Sequence, residues 1–143
     1  MYDRIIASEI AKQKRSVLLL GPRQVGKSTL MAALRPDLKI NLANEAEYLR
    51  FQMEPDELER RIGAMRTSSR GMRTVFIDEI QRIPRLTNTI QALIDEAPNL
   101  RFLLTGSSAR KLRKGRANLL PGRILTYTLG PLTLGETGGG DWD

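Results

Sequence analysis

The sequence predicts a three-layer α/β fold, in which helices cover both faces of a parallel five-stranded sheet. Short apolar runs alternate along the chain with segments of helical periodicity, a pattern typical of a parallel sheet. A glycine loop joins the first apolar run to the helical segment that follows it, and two adjacent carboxylates close the third run. Both features lie where a parallel strand ends, and ligands of open α/β sheets bind at that edge.

The predicted strands are short apolar runs, and the first of them is apolar at every position, as expected of a strand buried on both faces. The second run alternates between apolar and polar residues. The five predicted strands are Val17–Leu20, Leu38–Leu42, Thr74–Asp78, Arg101–Thr105 and Ile124–Leu129.

The predicted helices lie before, between and after these runs. The longest has apolar residues at helical spacing, and Pro84 is suited to its first turn, so we expect a helix from Pro84 to Ala97. The remaining helices are predicted over Ile5–Lys14, Ser28–Leu34, Glu45–Phe51, Glu57–Arg66 and Ala109–Lys114. Loops are predicted at Thr67–Gly71 and Asn118–Gly122, and residues 137–143 are expected to form a mobile glycine-rich tail.

The loop after the first strand carries the most specific motif of the chain. It reads Gly-Pro-Arg-Gln-Val-Gly-Lys-Ser and matches the phosphate-binding pattern G-x-x-x-x-G-K-[ST]. Its glycines allow backbone N–H groups to surround phosphates, the Lys27 ammonium is expected to reach the β- and γ-phosphates, and the Ser28 hydroxyl to ligate Mg²⁺. The predicted nucleotide-binding residues are Gly21, Pro22, Arg23, Gln24, Val25, Gly26, Lys27, Ser28 and Thr29.

The acidic pair at the end of the third strand supplies the second half of the predicted site. Asp78 is expected to hold Mg²⁺, and Glu79 to polarise a water for attack on the γ-phosphate. Adjacent residues of a strand point to opposite faces. The pair therefore works only if the chain turns directly after Asp78, and Pro84 is consistent with such an early exit.

Three further polar residues have two interpretations each. Ser107 and Ser108 follow the fourth strand, where a hydroxyl can contact the γ-phosphate or simply cap the next helix. Arg123 precedes the fifth strand, where it can stabilise phosphoryl charge, in its own site or a neighbour's, or be a surface arginine.

Composition excludes several classes of chemistry. The 143 residues have the length of one domain and contain neither Cys nor His, which removes disulfides, zinc sites, thiol nucleophiles and histidine acid–base catalysis. A bound metal should then be a hard cation such as Mg²⁺. No apolar stretch approaches the ~20 residues of a membrane span, and charges near the N-terminus replace a secretory core, so a cytoplasmic protein without a membrane partner is expected.

The net charge of +7 allows a nucleic-acid partner without requiring one. The basic residues cluster in three segments, which can contact nucleic acid or can be solvated faces that tolerate a polyanionic nucleotide. We favour the second interpretation. The clusters are Lys12–Arg15, Arg60–Arg73 and Arg110–Arg116.

Taken together, these motifs resemble the prokaryotic AAA-type ATPase domain that usually precedes a second, poorly characterised domain. The resemblance covers roughly residues 1–136 and rests on the phosphate loop 21–29, Asp78–Gln81, Thr105–Ser108, Gly122-Arg123 and Leu129–Thr133. It implies a P-loop NTPase fold with sheet order 5-1-4-3-2, ATP as ligand and Mg²⁺ as cofactor. It puts Ser107 at the sensor position, where asparagine is more usual, and Arg123 near the place of an arginine finger.

The resemblance also bounds the expected function. The family's helical lid and companion domain have no room after Glu136, so the chain is expected to be shortened relative to the family. The leading hypothesis is Mg²⁺-dependent ATP binding and hydrolysis, with Lys27, Glu79, Ser107 and Arg123 as catalytic residues. The alternatives are an ATP-binding switch for a partner protein, a second copy or DNA, and a small-molecule kinase. No Asn-Lys-x-Asp sequence supports a GTPase.

Overall fold

The computed structural model describes residues 8–12, 14–21, 27–66, 71–107 and 124–128. Several predictions fall on other positions and lie outside the described residues. They concern Pro22–Gly26, most of the loop 67–71, the helix Ala109–Lys114, the loop 118–122, Arg123 and the tail 137–143.

The sheet has five strands, all parallel, in the order β2-β3-β4-β1-β5. Read from the other edge, this is the predicted order 5-1-4-3-2, which is thereby confirmed. Each strand lies within two residues of its predicted bounds at the described positions. The strands are β1 Ser16–Leu20, β2 Leu38–Asn41, β3 Arg73–Asp78, β4 Leu100–Gly106 and β5 Ile124–Thr128.

The helices are α1 Lys27–Ala32, α2 Glu45–Met53, α3 Glu57–Arg66 and α4 Arg85–Glu96, with a 3₁₀ turn over Ile80–Arg82; residues 8–12 are also helical. Helix α3 has its predicted bounds, α4 is one residue shorter than predicted at each end, and Lys14 is not part of the first helical segment. Helices α1 and α2 differ by two residues at their C-terminal ends. Helix α2 continues to Met53, where the Glu54 N–H still donates to the Arg50 carbonyl. Helix α1 ends at Ala32 rather than Leu34, because the N–H groups of Leu34 and Arg35 bond three residues back and tighten the last turn.

Two hydrophobic clusters bury the two faces of the sheet. Alternate residues of β1 divide between them, with Leu18 and Leu20 in one cluster and Val17 and Leu19 in the other. Helices α2, α3 and α4 pack in the first cluster and α1 in the second. The three-layer α/β architecture is thus confirmed, and burial on both faces explains why the central strands are continuously apolar.

Helix α3 is joined to α2 by a partly buried ion network. The Arg61 guanidinium donates to both Glu47 oxygens, at 2.8 and 2.9 Å, and to Glu57 at 2.7 Å. The same guanidinium lies 4.7 Å from the Phe51 ring centroid. The network fixes α2 against α3 at the sheet edge formed by β2.

This network makes stability dependent on pH. The hydrogen bond from Arg61 lowers the pKa of Glu57, with the charges of Arg61, Arg60 and Arg50 acting in the same direction and desolvation opposing them. A lowered folded-state pKa stabilises the protein above the unfolded pKa, near 4.5, and the contribution is lost as pH falls through the folded value.

We therefore expect Glu57→Gln to lower the free energy of unfolding by about 1 kcal/mol at pH 7. The difference from the wild type should shrink as pH falls below about 4.5. Urea unfolding at a series of pH values measures it, with the exposed Glu59→Gln on the same helix as control. A constant difference across that range would contradict this account.

Candidate functional site

Strand pairing brings the predicted metal ligand beside a buried threonine. Ile77 of β3 pairs with Leu104 of β4, so the next residues, Asp78 and Thr105, are neighbours at the carboxyl edge of the sheet. Thr105 is fully buried and Asp78 nearly so. The Thr105 hydroxyl donates to Oδ1 of Asp78 and accepts from the Glu79 N–H at 2.9 Å. This threonine therefore fixes both acidic residues against β4.

The other oxygen of Asp78 faces the start of helix α1. The Ser28 hydroxyl donates to Oδ2 of Asp78 at 2.6 Å across 50 positions of sequence. The contact joins the two predicted metal ligands, one from the phosphate-loop motif and one from the acidic pair. Both present hard oxygen donors, which are the ligands that Mg²⁺ prefers. The donor set of this chain thus fits a magnesium ion.

Lys27 lies beside the same strand ends. It is only 4% exposed, and its ammonium donates to the Gly21 carbonyl at 2.6 Å. The Gly21 N–H in turn donates to the Gly106 carbonyl of β4 at 3.2 Å, which continues the β1–β4 pairing into the beginning of the loop. A buried ammonium at the ends of the central strands suits an anionic ligand.

The chain leaves the strand direction directly after Asp78, as the acidic pair requires. Glu79 has φ 61° and ψ 52°, the left-handed conformation that is unusual for a residue with a side chain, and the 3₁₀ turn Ile80–Arg82 follows. Such strained residues cluster at functional sites, where the surroundings hold them in place. Here the surroundings are the Thr105 hydroxyl on the Glu79 N–H and the Arg82 N–H on the Glu79 carbonyl.

The Glu79 carboxylate lies beside Ser107 and Gln81. The Ser107 hydroxyl donates to Oε1 of Glu79 at 3.1 Å, and the Gln81 amide donates to the same oxygen at 2.5 Å. The amide also donates to the Ser107 hydroxyl at 3.0 Å. The predicted water activator and the predicted sensor are therefore in direct contact.

Two arginines, one in the 3₁₀ turn and one at the start of helix α4, anchor the turn to neighbouring elements. The Arg82 guanidinium lies 4.1 Å from the Tyr48 ring centroid and donates to the Leu42 carbonyl at 2.8 Å. Arg85 donates to the Phe51 carbonyl at 2.6 Å. The Arg85 bond and the Arg82–Tyr48 contact hold the segment after β3 against helix α2, and the bond to Leu42 joins it to the residue that follows β2.

Five of the predicted site residues are thus in one cluster: Lys27, Ser28, Asp78, Glu79 and Ser107. Gly21 begins the loop beside them, and Thr29 is exposed on α1. Ser108 and Arg123 lie outside the described residues, as does the loop between Gly21 and Lys27.

Two residues of this cluster were not assigned roles from the sequence. Thr105 is the last residue of a predicted strand and carries a hydroxyl at the carboxyl edge of the sheet, where ligands bind. That position is the sequence signal that could have identified it. Gln81 lies three positions after Asp78 in the acidic motif. The direction of its side chain depends on the backbone conformation of Glu79, and the sequence does not reveal that conformation.

Part of the basic charge is already compensated within the described residues. Arg60 contacts Glu54, Asp56 and Glu57, and Arg73 contacts Asp37 at 2.8 Å. These ion pairs agree with the interpretation of the second basic segment as a solvated face. No helix among the described residues is long and apolar enough to span a membrane.

Sequence comparisons connect the chain with longer bacterial proteins. It is 33% identical over 124 residues to the uncharacterized proteins Rv2008c of Mycobacterium tuberculosis and Mb2031c of Mycobacterium bovis. The match covers 85% of this chain but 26% of each relative, so the chain spans about a quarter of their length.

Structural comparisons recover the same fold at low identity. C. elegans PCH-2 matches with a TM-score of 0.54 and 19% identity, over 87% of this chain and 39% of that chain. NtrX from Brucella abortus, solved in complex with ATP, matches with a TM-score of 0.58 and 16% identity, over 91% and 36%. The sequence profile of the AAA domain matches residues 13–138. With that profile, the parallel sheet order and the loop motif in agreement, the chain belongs to the AAA domain family and has the fold of an AAA-type P-loop ATPase domain.

Proposed function

We propose that this chain binds ATP with Mg²⁺ and hydrolyses it to ADP and phosphate. Membership of the AAA domain family supports a nucleotide-binding, ATPase-type function in general terms. The observation that carries the finer proposal is the cluster at the strand ends. There the buried Lys27 ammonium lies beside the phosphate-loop glycine, and Ser28 contacts Asp78.

The binding roles follow from the charge and donors of each group. Lys27 and the loop Gly21–Gly26 would hold the β- and γ-phosphates, and Ser28 and Asp78 would hold Mg²⁺. The ion would neutralise charge on the phosphates. The Ser28–Asp78 bond of 2.6 Å supports this assignment, because it shows that the two oxygens can approach a common point.

The proposed chemistry is assigned to Glu79 and Ser107. Among the residues that the structure describes, none donates a hydrogen bond to Oε2 of Glu79, whereas Oε1 accepts two. Oε2 is then suited to accept a proton from the attacking water as general base. Ser107 would contact the γ-phosphate, and Arg123, alone or from a second copy, would stabilise charge on the transferred group.

A second candidate function is an ATP-binding switch that has no turnover of its own. The direct bond between the Ser107 hydroxyl and Glu79 favours it, because that hydroxyl cannot donate to a γ-phosphate and to Glu79 at once. In this alternative, ATP binding would separate the two side chains and change the surface seen by a partner protein. The greater length of the mycobacterial relatives is consistent with a partner domain, and a cytoplasmic location suits either function.

Metal removal tests the leading proposal. The full 143-residue chain is mixed with ATP and either Mg²⁺ or EDTA, and ATP affinity and phosphate release are measured in both. We expect phosphate release with Mg²⁺, background release with EDTA, and recovery when excess Mg²⁺ is restored, because the metal ion would supply positive charge that the hydroxyl of Ser28 and the carboxylate of Asp78 lack.

The other outcomes separate the alternatives. Equal rates of phosphate release in EDTA and in Mg²⁺ would contradict the metal's role. Transfer of the phosphoryl group to a small acceptor rather than to water would indicate a kinase. Tight ATP binding without any release in Mg²⁺ would favour the switch.

A further inference from the structure

The Gln81 side chain is buried between Glu79 and Ser107, although the proposed chemistry assigns no role to this residue. It is 8% exposed and is the middle residue of the 3₁₀ turn after Glu79. A buried amide is costly unless its donors and acceptor are paired. The hydrogen-bond partners of Gln81 therefore indicate the structural role of its side chain.

All described bonds of this amide go to the proposed base and the proposed sensor. Its NH₂ group donates to Oε1 of Glu79 at 2.5 Å and to the Ser107 hydroxyl at 3.0 Å, and its oxygen accepts from the Ser107 N–H at 3.2 Å. Ser107 is 26 positions away and directly follows β4, whereas Glu79 directly follows β3, so one side chain joins the ends of two neighbouring strands.

The orientation of the amide follows from chemistry. A backbone N–H only donates, so the amide oxygen must face Ser107. An ionised carboxylate only accepts, so the NH₂ group must face Glu79. The amide satisfies both neighbours at once, whereas a carboxylate lacks the donor and an apolar chain lacks both groups.

We propose that Gln81 is a positioning residue that fixes the Glu79 carboxylate relative to Ser107. The inference rests on the proposed ATPase function. By holding Oε1, the amide leaves Oε2 to face the attacking water. By holding both the N–H and the hydroxyl of Ser107, it links the orientation of the base to the residue that would contact the γ-phosphate.

The first test compares Gln81→Met and Gln81→Glu with the wild type. Methionine keeps the length and removes every hydrogen bond, whereas glutamate keeps the shape and the acceptor but presents a second negative charge to Glu79. We expect single-turnover phosphate release to fall about 10- to 100-fold in both, with ATP Kd within about twofold of wild type. Gln52→Met, at an exposed glutamine of α2, is the control.

A double-mutant cycle tests the link to Ser107. Ser107→Ala should slow phosphate release in both backgrounds, but by a smaller factor in Gln81→Met than in the wild type, because the part of its effect that depends on the Gln81–Ser107 contact is already lost there. Thermal unfolding of each variant separates loss of positioning from loss of folding. Gln81→Glu, which preserves the shape, keeps the test valid if Gln81→Met does not fold.

Two results would overturn the inference while leaving the ATPase proposal intact. These are wild-type release rates in both Gln81 variants, or independent, additive effects of the Gln81 and Ser107 substitutions. A wild-type chain that binds ATP without releasing phosphate would overturn the ATPase proposal, and this inference with it.

Discussion

Replacing Glu79 with glutamine is expected to slow phosphate release by about 10²- to 10⁴-fold, the usual contribution of a general base. The glutamine keeps an oxygen that can accept from Gln81 and Ser107, so the contacts at 2.5 and 3.1 Å can persist. What is lost is the negative charge that would take a proton from water. Phosphate release under single-turnover conditions, with ATP affinity measured on the same samples, provides the readout.

The affinity measurement gives this prediction its specificity. ATP Kd should stay near the wild-type value, because Glu79 is assigned to the water and not to the phosphates. Glu59→Gln on α3 removes one exposed carboxylate far from the strand ends and should change neither quantity. Undiminished release by the Glu79 variant would show that another group activates the water.

The second large effect is expected at Lys27. We expect Lys27→Ala to weaken ATP binding about 30- to 3,000-fold, corresponding to about 2–5 kcal/mol for one partner of a buried charge pair. Release of phosphate should fall with it, since the same ammonium would face the transferred group. Titration of ATP into each protein measures the change.

At this buried position, the effect of removing the charge of Lys27 has to be separated from an effect on folding. Lys27 is 4% exposed, so alanine also removes packing from its aliphatic stem. Lys27→Met keeps the stem and removes the charge, and it should behave like Lys27→Ala. Lys39→Met, on the exposed side of β2, is the matched control. Wild-type ATP affinity and turnover in Lys27→Met would exclude the proposed role of this lysine.

Patterns between nearby residues determined the strands and their layering. The continuous apolar runs of β1, β3 and β4 arise because both faces of these strands are buried, and each run is visible without knowing its neighbours. The phosphate-loop motif is equally local, since its spacing follows from how a backbone surrounds phosphates. The strand order came from the family resemblance, and the structure confirms it.

The ends of the helices were less predictable than their existence, because each end depends on one or two backbone hydrogen bonds. Helix α1 is shorter than predicted, since the chain tightens after Ala32 and Arg35 takes φ 54° before Pro36. Helix α2 is two residues longer than predicted, and the Glu54 N–H closes its end on the Arg50 carbonyl. Neither helix end can be recognised from composition or from hydrophobic periodicity.

The chain by itself determined which residue types reach the carboxyl edge of the sheet: a lysine, hydroxyls and two adjacent acids. Only the tertiary structure decided which of them touch. The register of β3 against β4 places Thr105 beside Asp78, and the left-handed conformation of Glu79 turns Gln81 back toward Ser107. These contacts join residues 26 or more positions apart, and strand pairing brings such residues together whatever their separation along the chain.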